Sequence, residues 1–560
     1  MPTPAVLDAR SRGNTLEKLA SQRFDLLVIG GGITGAGAAL DAASRGLRVA
    51  LVEARDLASG TSSRSSKLIH GGLRYLEQRD FKLVYEALHE RDLLVSKLAP
   101  HLVTPVSFLY PLYKKVVERP YVGAGLVLYD AMEGKRRPVP FHKHMTAKGA
   151  LKIAPALAQG RLAGAMRYYD AQVDDARYTL TVARTAAAHG AVIATRVSAV
   201  SVSREGDAIS GAGVRDEETG RSFSVAAARV VICAGVWTDL VHELAGVSAG
   251  YQVRMSKGVH IVVPREAIRA DTGMILKTEK SVLFFIPWGA RWIVGTTDTD
   301  WAGDRAEPAP TAADVDYLLA AANRALARPL TRSDVIAVYA GLRPLVATSA
   351  GKPTTKLSRE HVVDVPVPGL ASIAGGKFTT YRIMARDVID AVLEPSEDVP
   401  RSVTDQTPLL GADGLAGRRA AAGRLAEDYD VSRETVDHLL GRYGSLTLDV
   451  LDLVRESPEL GAPLASGHPY LRAEVAYAVM QEGALHVEDV LARRTRLFIE
   501  SADSGAGAAD DVSAIMGRLL GWSRRRRAAE TARYQELVAA EHAVLGAPGP
   551  RDRVASVAAG

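Results

Sequence analysis

The sequence lacks the features expected of a secreted, disulfide-stabilised or membrane-spanning chain. Its one cysteine, Cys233, cannot form a disulfide within the chain or build a metal cluster, and this favours a reducing compartment. No apolar run approaches the roughly 18 residues of a transmembrane helix, so any membrane contact is expected to be peripheral. Residues 1–23 lack the apolar stretch of a secretory signal and are predicted to be a disordered or loosely packed extension.

Length and charge indicate several domains and an anionic ligand or surface. A chain of 560 residues is too long for one compact core, so two or three domains are expected. Lysine and arginine (69) outnumber aspartate and glutamate (64), which gives a net charge of +5 and suits an anionic ligand or an anionic membrane surface.

The first motif lies near the N-terminus, where FDLLVI (residues 24–29) precedes GGGITGAGAALDAASRG and then LRVALVEA. This pattern predicts a strand, a glycine turn, a helix with small residues on one face, and a second strand. Gly30, Gly32 and Gly35 match the dinucleotide fingerprint, and Glu53 ends the second strand, where it would accept hydrogen bonds from ribose hydroxyls. The unit predicts a dinucleotide-binding α/β domain, and both FAD and NAD use such a unit.

Two distant glycine segments favour FAD, because an extended FAD is wrapped by segments far apart in the chain. Residues 230–238 (VVICAGVWT) predict a buried strand that ends in a glycine turn. Residues 370–385 (LASIAGGKFTTYRIMA) predict a strand, two glycines and the start of a helix. The N-terminus of that helix could meet the pyrimidine end of a flavin ring, where negative charge develops on reduction.

Residues 65–77 (SSKLIHGGLRYLE) place a lysine, a histidine, an arginine and a tyrosine around Gly71 and Gly72. A solvated helix would not need the two glycines, and a core segment would not carry the three basic residues together. The segment is therefore interpreted as one wall of a ligand site.

With these motifs the sequence resembles the FAD-dependent, membrane-associated glycerol-3-phosphate dehydrogenases. The resemblance covers residues 24–385 in the expected order, and SSKLIHGGLRYLE is its most specific segment. The other matching segments are VIGGGITGAGAALDAASRG, TSSRSSKLIHGG, YYDAQVDDARYTL, SKGVHIVVP, FFIPW with IVGTTDTD, YAGLRPL, LSREH and AGGKFTTYR.

The resemblance implies an α/β fold in which an FAD-binding, Rossmann-like domain is interleaved with an antiparallel-sheet substrate domain, followed by a C-terminal helical domain. The oxidoreductase part is expected at 24–390, with FAD-binding segments at about 24–100, 165–240 and 340–390 and substrate segments at about 100–165 and 241–340. A linker (391–408), a helical domain (409–545) and a disordered tail (546–560) are expected to follow. The runs HIVVP, VLFFIP and RWIVGTT predict strands in the substrate half, and apolar residues three and four apart predict helices over AEVAYAVMQ, VEDVLARRTRL and DVSAIMGRLLGW.

The resemblance also implies oxidation of sn-glycerol 3-phosphate to dihydroxyacetone phosphate, with hydride transfer from C2 to flavin N5. The substrate phosphate calls for arginines, and the candidates are Arg74, Arg343 and Arg359, with Tyr75 as a further hydrogen-bond donor. By itself, Arg343 in GLRPL would be better explained by a pair with a surface acid.

The acceptor of the 2-hydroxyl proton stays open between His70 and His260. We expect His260 and Arg343 beside the substrate and His70 closer to the flavin, although a lone histidine in a loop is more often structural. Lys377 would stabilise the reduced flavin or the oxygen of the forming ketone.

A larger set of residues is expected around FAD. Ser62, Ser63 and Ser66 are available to the cofactor's phosphates, and Lys67 is expected near its ring. The full predicted set is Gly30, Gly32, Ile33, Thr34, Gly35, Glu53, Ala54, Thr61, Ser62, Ser63, Ser66, Lys67, Leu68, His70, Gly71, Val197, Ala234, Gly235, Trp237, Gly376, Lys377 and Thr379. No metal site is expected, because Asp298 and Asp300 in GTTDTD are better explained as turn residues.

The family usually passes electrons to a membrane quinone, and one segment suits a membrane surface. Residues 110–132 (YPLYKKVVERPYVGAGLVLYDAM) combine aromatic and apolar residues with Lys114, Lys115 and Arg119, as an interfacial segment or a buried helix with a basic edge would. The four arginines at 524–527 favour a solvated helix, or a contact with lipid or a partner, over nucleic acid.

The leading hypothesis is therefore a cytoplasmic enzyme at the inner face of the plasma membrane, with no nucleic-acid partner and with a homodimer as one alternative for its assembly. An oxidase that uses O2 and makes H2O2 is the nearest alternative. A non-catalytic dinucleotide-binding regulatory protein and a flavin enzyme for another substrate also stay open.

Overall fold

The computed structural model describes residues 6–77, 80–114, 118–133, 138–278, 282–347, 360–393 and 398–546. Its helices are α1 (Arg12–Ser21), α2 (Ile33–Ser44), α3 (Leu73–Glu77), α4 (Phe81–Leu93), α5 (Glu118–Met132), α6 (Ala147–Ile153), α7 (Asp175–Ala188), α8 (Thr238–Ala245), α9 (Ala312–Asn323), α10 (Tyr381–Val392), α11 (Leu415–Ala420), α12 (Ala422–Asp428), α13 (Arg433–Tyr443), α14 (Thr447–Glu456), α15 (Arg472–Glu482), α16 (Leu497–Glu500), α17 (Ala509–Leu520) and α18 (Arg524–Ala543). Among the described residues, no helix has both the length and the unbroken apolar character needed to span a bilayer.

The strands form three sheets. They are β1 (Arg23–Phe24), β2 (Leu26–Ile29), β3 (Val49–Glu53), β4 (Leu68–Ile69), β5 (Val103–Leu112), β6 (Lys143–Met145), β7 (Gly164–Val173), β8 (Val192–Thr195), β9 (Val197–Glu205), β10 (Ala208–Asp216), β11 (Ser222–Ala227), β12 (Val230–Ile232), β13 (Gln252–Pro264), β14 (Gly273–Lys277), β15 (Val282–Trp288), β16 (Arg291–Gly295), β17 (Thr299–Trp301), β18 (Ala337–Ala347), β19 (His361–Val367) and β20 (Leu370–Gly375).

A six-stranded sheet with the order β19-β20-β12-β2-β3-β8 is parallel except for β19. The residues of β2 and β12 are all buried, as expected for parallel strands covered on both faces. Helix α2 packs between α7 and α10 on this sheet, and its alanine-rich face allows the close approach. The predicted strand, glycine turn, helix and strand are thus β2, α2 and β3.

A larger, mainly antiparallel sheet follows the order β17-β13-β16-β15-β14-β5-β7-β4, with β18 paired to β13 and β6 to β7. The predicted strand segments HIVVP and VLFFIP fall within β13 and β15, and RWIVGTT forms β16 as far as Gly295. Strands β13 and β18 pair in register with His260 opposite Tyr339. A third sheet, β1-β11-β10-β9, extends from the parallel sheet.

The C-terminal part is helical, from α11 to α18, and has its own hydrophobic core. The predicted helix over VEDVLARRTRL is instead a π-helical turn, Asp489–Arg494, followed by extended Thr495 and the short α16. This α/β architecture with a helical C-terminal part agrees with the predicted fold class, while the predicted domain limits stay a prediction. The predicted tail lies outside the described residues after residue 546.

The N-terminal extension is ordered, contrary to prediction, as far as residues 6–23 are described. Helix α1 packs on β8 and β11, with Leu19 fully buried. Arg12 donates to Asp216 at 2.7 Å and to the carbonyl of Thr195 at 2.9 Å. The Leu7 amide also donates to the Gln481 carbonyl at 3.2 Å, and apolar periodicity does not reveal anchoring of this kind.

Candidate active site

The glycine turn after β2 is shaped by close backbone contacts. A Cβ atom on Gly35 would lie 1.8 Å from the Gly30 carbonyl oxygen, so only glycine lets α2 begin this near to β2. Gly30 has a φ of +114°, and a Cβ there would meet the Cys233 carbonyl oxygen at 2.5 Å. A Cβ on Gly32 would meet only the Ser62 hydroxyl, at 3.2 Å, which leaves the turn open on its pocket side.

Glu53 lies at the end of β3, on the wall of the same pocket. Its carboxylate accepts hydrogen bonds from the backbone amides of Gly31 (2.6 Å) and Arg55 (2.8 Å). Burial raises the pKa of Glu53, and these two amides oppose that shift. The acid is therefore fixed where an adenosine ribose would lie in a dinucleotide-binding unit.

A loop at residues 57–66 crosses the N-terminus of α2 and closes the pocket on that side. The Ile33 amide donates to the Ser62 hydroxyl at 2.9 Å, and the Thr61 hydroxyl donates to the Leu342 carbonyl at 2.7 Å. The loop thus joins the parallel sheet to β18 of the larger sheet. This explains why the serine-rich stretch adjoins a site formed between two sheets.

Between the two sheets lies a cavity of about 540 Å³, within the range of cofactor and substrate sites. The predicted cofactor residues on its walls are Gly30, Gly32, Ile33, Thr34, Glu53, Ala54, Thr61, Ser62, Ser66, Leu68, His70, Val197, Ala234, Gly235, Trp237, Gly376, Lys377 and Thr379. Gly35, Ser63, Lys67 and Gly71 do not line it. The open backbone at Gly32 and Gly235, and walls that come from segments far apart in the chain, fit an extended FAD.

Lys67, which the sequence predicts near the cofactor's ring, does not line the cavity. Its Nζ atom donates to Asp175 at 2.7 Å and to the Ser63 carbonyl at 3.1 Å, and its side chain is fully buried. Burial, and next the positive charge of Arg496, lower the pKa of Lys67 to about 8. The buried carboxylate of Asp175 needs a counter-charge, and this requirement explains where Lys67 points.

Gly71 does not line the cavity, and close packing explains why the position has no side chain. A Cβ there would meet Leu88 at 2.5 Å and the Tyr129 hydroxyl at 2.6 Å. The Gly71 amide donates to that hydroxyl at 3.0 Å, and the hydroxyl donates to Asp170 at 2.6 Å. Gly72 has a φ of +76° and allows the turn into α3.

Tyr75 and Lys377 meet on the pocket wall. The Lys377 Nζ atom lies 3.6 Å from the centroid of the Tyr75 ring, within the distance of a cation–π contact. The His70 amide donates to the Thr379 hydroxyl at 3.1 Å. The segments HGGLRYLE and GGKFTTYR are therefore joined at the site.

Arg343, on β18, reaches the same pocket and is held by several partners. It donates to the Thr296 hydroxyl at 3.0 Å, the Thr297 carbonyl at 3.2 Å and the Ser256 hydroxyl at 3.3 Å. Its guanidinium also lies 3.7 Å from the Asp298 carboxylate. With 23% of its side chain exposed, Arg343 presents a fixed cation at the pocket wall.

Asp298 and Asp300 have basic partners. Besides Arg343, Asp298 accepts a hydrogen bond from Ser256, and Asp300 pairs with Arg254 at 3.0 Å. Asp298 follows β16 in the connection that the sequence predicts, whereas Asp300 lies on β17, opposite Ser256, so the turn prediction is wrong for Asp300.

His260, on β13, is buried beside Arg343. Its ring stacks on Tyr339 with centroids 4.8 Å apart, and its Nε2 atom lies 2.9 Å from the Ser66 hydroxyl. Its Nδ1 atom has no hydrogen-bond partner among the described residues. Burial, and next the charges of Arg343 and Lys67, hold the pKa of His260 well below 6.5, so the imidazole is neutral at pH 7. A neutral imidazole can accept a proton.

The two other predicted phosphate ligands cannot be placed in the same way. Arg74 lies on α3, next to Tyr75, and only its backbone belongs to the described part of the structure. Arg359 lies outside the described residues. Arg64, which the sequence analysis missed, also lines the pocket. Arg64 pairs with the Glu307 carboxylate at 2.9 Å, and Arg55 pairs with the same carboxylate at 2.5 Å. Arg64 was detectable as the basic residue within TSSRSS.

Residues 25–382 match the family described as FAD dependent oxidoreductase, and residues 402–527 match the family described as the C-terminal domain of alpha-glycerophosphate oxidase. Glycerol-3-phosphate dehydrogenase 2 of Mycobacterium tuberculosis is 52% identical over 98% of this chain and 93% of its own length. The human mitochondrial glycerol-3-phosphate dehydrogenase is 37% identical over 92% of this chain and 73% of its own length.

A solved structure of a glycerol-3-phosphate dehydrogenase from Bacillus halodurans, complexed with FAD, is 30% identical to this chain. It covers 96% of this chain and 98% of its own, with a TM-score of 0.79. The chain therefore belongs to the FAD-dependent glycerol-3-phosphate dehydrogenases, and its cofactor is FAD.

Proposed function

We propose that the protein oxidises sn-glycerol 3-phosphate to dihydroxyacetone phosphate and passes the electrons to a quinone in the membrane. The observation that carries the proposal is the meeting of Arg343, His260, Lys377 and Tyr75 in one cavity from distant parts of the chain. FAD, when bound, supplies the two-electron acceptor at N5 of its ring. The protein must then bind the phosphate, orient C2 and accept a proton.

Arg343 is the proposed phosphate ligand on the described wall. A guanidinium binds phosphate oxygens through two parallel N–H groups, and Thr296 and Ser256 hold this one in a fixed orientation. Arg74 and Arg359 stay proposed as additional phosphate ligands. Fixing the phosphate also fixes the distance and direction of C2, three bonds away, and orientation of this kind lowers the barrier to reaction.

His260 is the proposed acceptor of the 2-hydroxyl proton. Since its pKa is held low, it is neutral over the physiological range, and the Ser66 hydroxyl at 2.9 Å either relays the proton or orients the ring. The stacked Tyr339 limits rotation of the ring. Lys377 is proposed to stabilise negative charge on the substrate oxygen or on the reduced cofactor, and His70 to lie nearer the cofactor.

The proposal of a membrane acceptor is supported by the outer face of α5. Its exposed positions are uncharged and mostly apolar: Pro120, Tyr121, Ala124, Val127, Leu128 and Ala131. Tyr121 is 61% exposed and Val127 57% exposed, and Phe141 nearby in sequence is 62% exposed. An outward apolar stripe of this kind suits an interfacial helix.

The inner face of α5 leads towards the cofactor pocket. Tyr129 on this face contacts the amide of Gly71, which follows His70 on the pocket wall. Basic residues Lys114, Lys143 and Lys148 are exposed near α5 in sequence and would meet anionic lipid. This arrangement supports peripheral attachment at the inner face of the plasma membrane and delivery of electrons to a lipid-soluble acceptor.

Molecular oxygen is the second candidate acceptor, because residues 402–527 match a domain described from alpha-glycerophosphate oxidase. One experiment separates the two. The purified flavoprotein is mixed anaerobically with glycerol 3-phosphate, and the flavin absorbance is followed before and after addition of a water-soluble quinone or of air. Rapid recovery with quinone and slow recovery with air would support the dehydrogenase, and rapid recovery with air and peroxide release would support the oxidase. Absence of bleaching with FAD bound would refute the proposed substrate.

A further inference from the structure

Three arginines from the C-terminal helical part lie buried against the loops that frame the pocket. Arg493 and Arg494 end the π-helical turn Asp489–Arg494, and Arg496 follows two residues later. Their side chains are between 1% and 4% exposed. Besides local partners, each contacts the FAD-binding part of the chain, more than 300 residues earlier in sequence.

The first contact is with the loop that follows β3. Arg493 Nε lies 2.5 Å from the Asp56 carboxylate, and Arg494 Nη2 lies 2.8 Å from it. Asp56 is 1% exposed. It stands three positions after Glu53, which is the residue on the pocket wall. The C-terminal part therefore holds the loop that directly follows the proposed ribose-binding acid.

The second contact is with the loop that carries Ser66. Arg496 Nη2 donates to the Ser63 carbonyl at 2.9 Å and to Asp175 at 3.2 Å. Lys67 donates to the same two acceptors, at 3.1 and 2.7 Å. The amide and hydroxyl of Ser65 donate to the other oxygen of Asp175 at 2.9 and 2.7 Å. One carboxylate and one carbonyl thus fix both ends of residues 63–67.

We propose that Arg496 is a positioning residue for the active site: through Asp175 and the Ser63 carbonyl it sets the conformation of loop 63–67, and with it the contact between Ser66 and His260. Loop 63–67 also supplies Ser65 and Ser66 to the cofactor cavity. The expected effect of Arg496 on substrate oxidation rests on the proposed function, whereas its expected effect on FAD release rests on the cofactor site alone.

The charge balance of the network explains why the loop depends on Arg496. Asp175 is fully buried and has two cationic partners, Lys67 and Arg496. Without Arg496, the carboxylate and the Ser63 carbonyl each lose a donor, and a buried acceptor without its donors is costly. The Lys67 ammonium group would then have to move, or water would have to enter, to replace the lost donor. Because Lys67 follows Ser66 in the chain, movement of Lys67 would also displace the Ser66 hydroxyl that contacts His260.

A matched control lies at the same interface. Arg184 on α7 donates to the Tyr477 hydroxyl at 3.1 Å and pairs with Glu482 at 3.4 Å, so it too joins the FAD-binding part to the C-terminal part. Its side chain is 7% exposed, and it does not line the cavity. Replacement of Arg184 removes a buried interdomain cation without touching loop 63–67.

The test compares the holoenzymes of the wild type, Arg496→Met, Arg496→Lys and Arg184→Met. The readouts are the anaerobic rate of flavin bleaching at saturating glycerol 3-phosphate, the half-saturating concentration, the rate of FAD release from its fluorescence, and the melting temperature. For Arg496→Met we expect bleaching at least about tenfold slower, with little change in half-saturation, because a small misplacement of catalytic groups costs rate. Its FAD release should be faster. Arg496→Lys should restore part of the rate, while Arg184→Met should lose melting temperature only.

The inference is overturned if Arg496→Met and Arg184→Met lose similar melting temperature and both bleach and release FAD at wild-type rates. If Arg496→Met does not fold, Ser65→Ala tests the network from the loop side, because it removes the hydroxyl that donates to Asp175 and accepts from the Lys67 amide: slower bleaching at a near wild-type melting temperature supports the inference, and unchanged bleaching overturns it. If the wild type itself is not bleached by glycerol 3-phosphate, the proposed function fails. Faster FAD release from Arg496→Met than from Arg184→Met would then still support the inference, and equal release would overturn it.

Discussion

The Nε2 atom of His260 lies 2.9 Å from the hydroxyl oxygen of Ser66. These residues come from distant parts of the chain, since His260 is on β13 and Ser66 precedes β4, at the other end of the same large sheet. The contact places a titratable group against the loop that borders the cofactor cavity. It is the feature from which the proposed proton transfer can be tested most directly.

Replacement of His260 by Asn should slow flavin bleaching by glycerol 3-phosphate by about 100-fold or more, which is the contribution typical of a positioned general base. Asn keeps a polar group near Ser66 but accepts no proton at neutral pH. FAD content and the substrate dissociation constant should change little. Stopped-flow absorbance under anaerobic conditions measures the rate, and an unchanged rate would remove His260 as the base.

The pH dependence of bleaching should reflect the lowered pKa of His260. A folded-state pKa well below 6.5 means that the ring stays neutral as the pH falls through the range in which an ordinary histidine becomes protonated. At saturating substrate the wild-type rate should therefore stay nearly constant from pH 8 to about pH 6 and decline only at lower pH. A decline with a midpoint near 6.5 would contradict the neutral, buried imidazole.

Arg343→Lys should raise the half-saturating concentration of glycerol 3-phosphate by about 10- to 100-fold, in line with the loss of one charge-assisted hydrogen bond. Lysine keeps the charge but not the planar fork, and it cannot reach Thr296 and Ser256 together. Steady-state kinetics with an artificial electron acceptor measure the change. Arg254→Lys, at the neighbouring Arg254–Asp300 pair, is the matched control and should behave like the wild type.

His486 should make the interface between the two parts of the chain sensitive to alkaline pH. It lies between Glu218 at 2.8 Å and Glu530 at 3.0 Å. Burial alone would lower its pKa, but the hydrogen bonds to the two carboxylates outweigh burial and raise the pKa to about 9. Because the folded pKa lies above the unfolded value of about 6.5, this stabilisation is complete below pH 6.5 and is lost as the pH rises through 9.

The melting temperature of the wild type should accordingly fall between pH 7 and pH 9.5 by more than that of His486→Gln. Differential scanning calorimetry of both proteins over this range measures the difference, and the variant corrects for other groups that titrate there. If the melting temperatures of the two proteins fall equally with pH, His486 does not cause the loss of stability at alkaline pH.

The sequence predicted the local elements of the cofactor site well and their long-range partners poorly. Gly30, Gly35 and Glu53 belong to one continuous strand, turn, helix and strand, whose spacing follows from backbone geometry. Lys67 looked equally suited to a ligand, because nothing in SSKLIHGG indicates that a buried carboxylate, Asp175, lies beside it in the fold. The position of a long flexible side chain is decided by such partners and not by its own neighbours in sequence.

The same limit applies to Gly71 and to the C-terminal arginines. Gly71 was attributed to a ligand, but the atoms that exclude a side chain there belong to Leu88 and Tyr129. LARRTRL was interpreted only as part of a helix, although Arg494 and Arg496 bind the loops of the cofactor site. Apolar periodicity detects faces that meet a core, and it does not detect buried ion pairs between distant segments.

The exposed face of α5 should determine binding to anionic vesicles. Replacing Tyr121 and Val127 by Ser removes two of its most exposed apolar side chains, so the fraction of protein that sediments with phosphatidylglycerol vesicles should fall several-fold. Flavin bleaching by glycerol 3-phosphate should be unchanged, because neither residue lines the cofactor cavity. Oxidation by a quinone embedded in the vesicles should slow in parallel with binding, while oxidation by a water-soluble quinone should not.

The matched control replaces Tyr317 and Val365 by Ser. These side chains are 41% and 43% exposed, on α9 and β19, and they test whether any loss of exposed apolar surface reduces sedimentation. Equal loss with both double variants would mean that α5 has no special role at the surface. Full vesicle binding by the α5 variant, with undiminished reduction of the embedded quinone, would place the membrane contact elsewhere on the protein. A selective loss with the α5 variant would instead link the helix that contacts lipid, through Tyr129 and Gly71, to the wall of the flavin site.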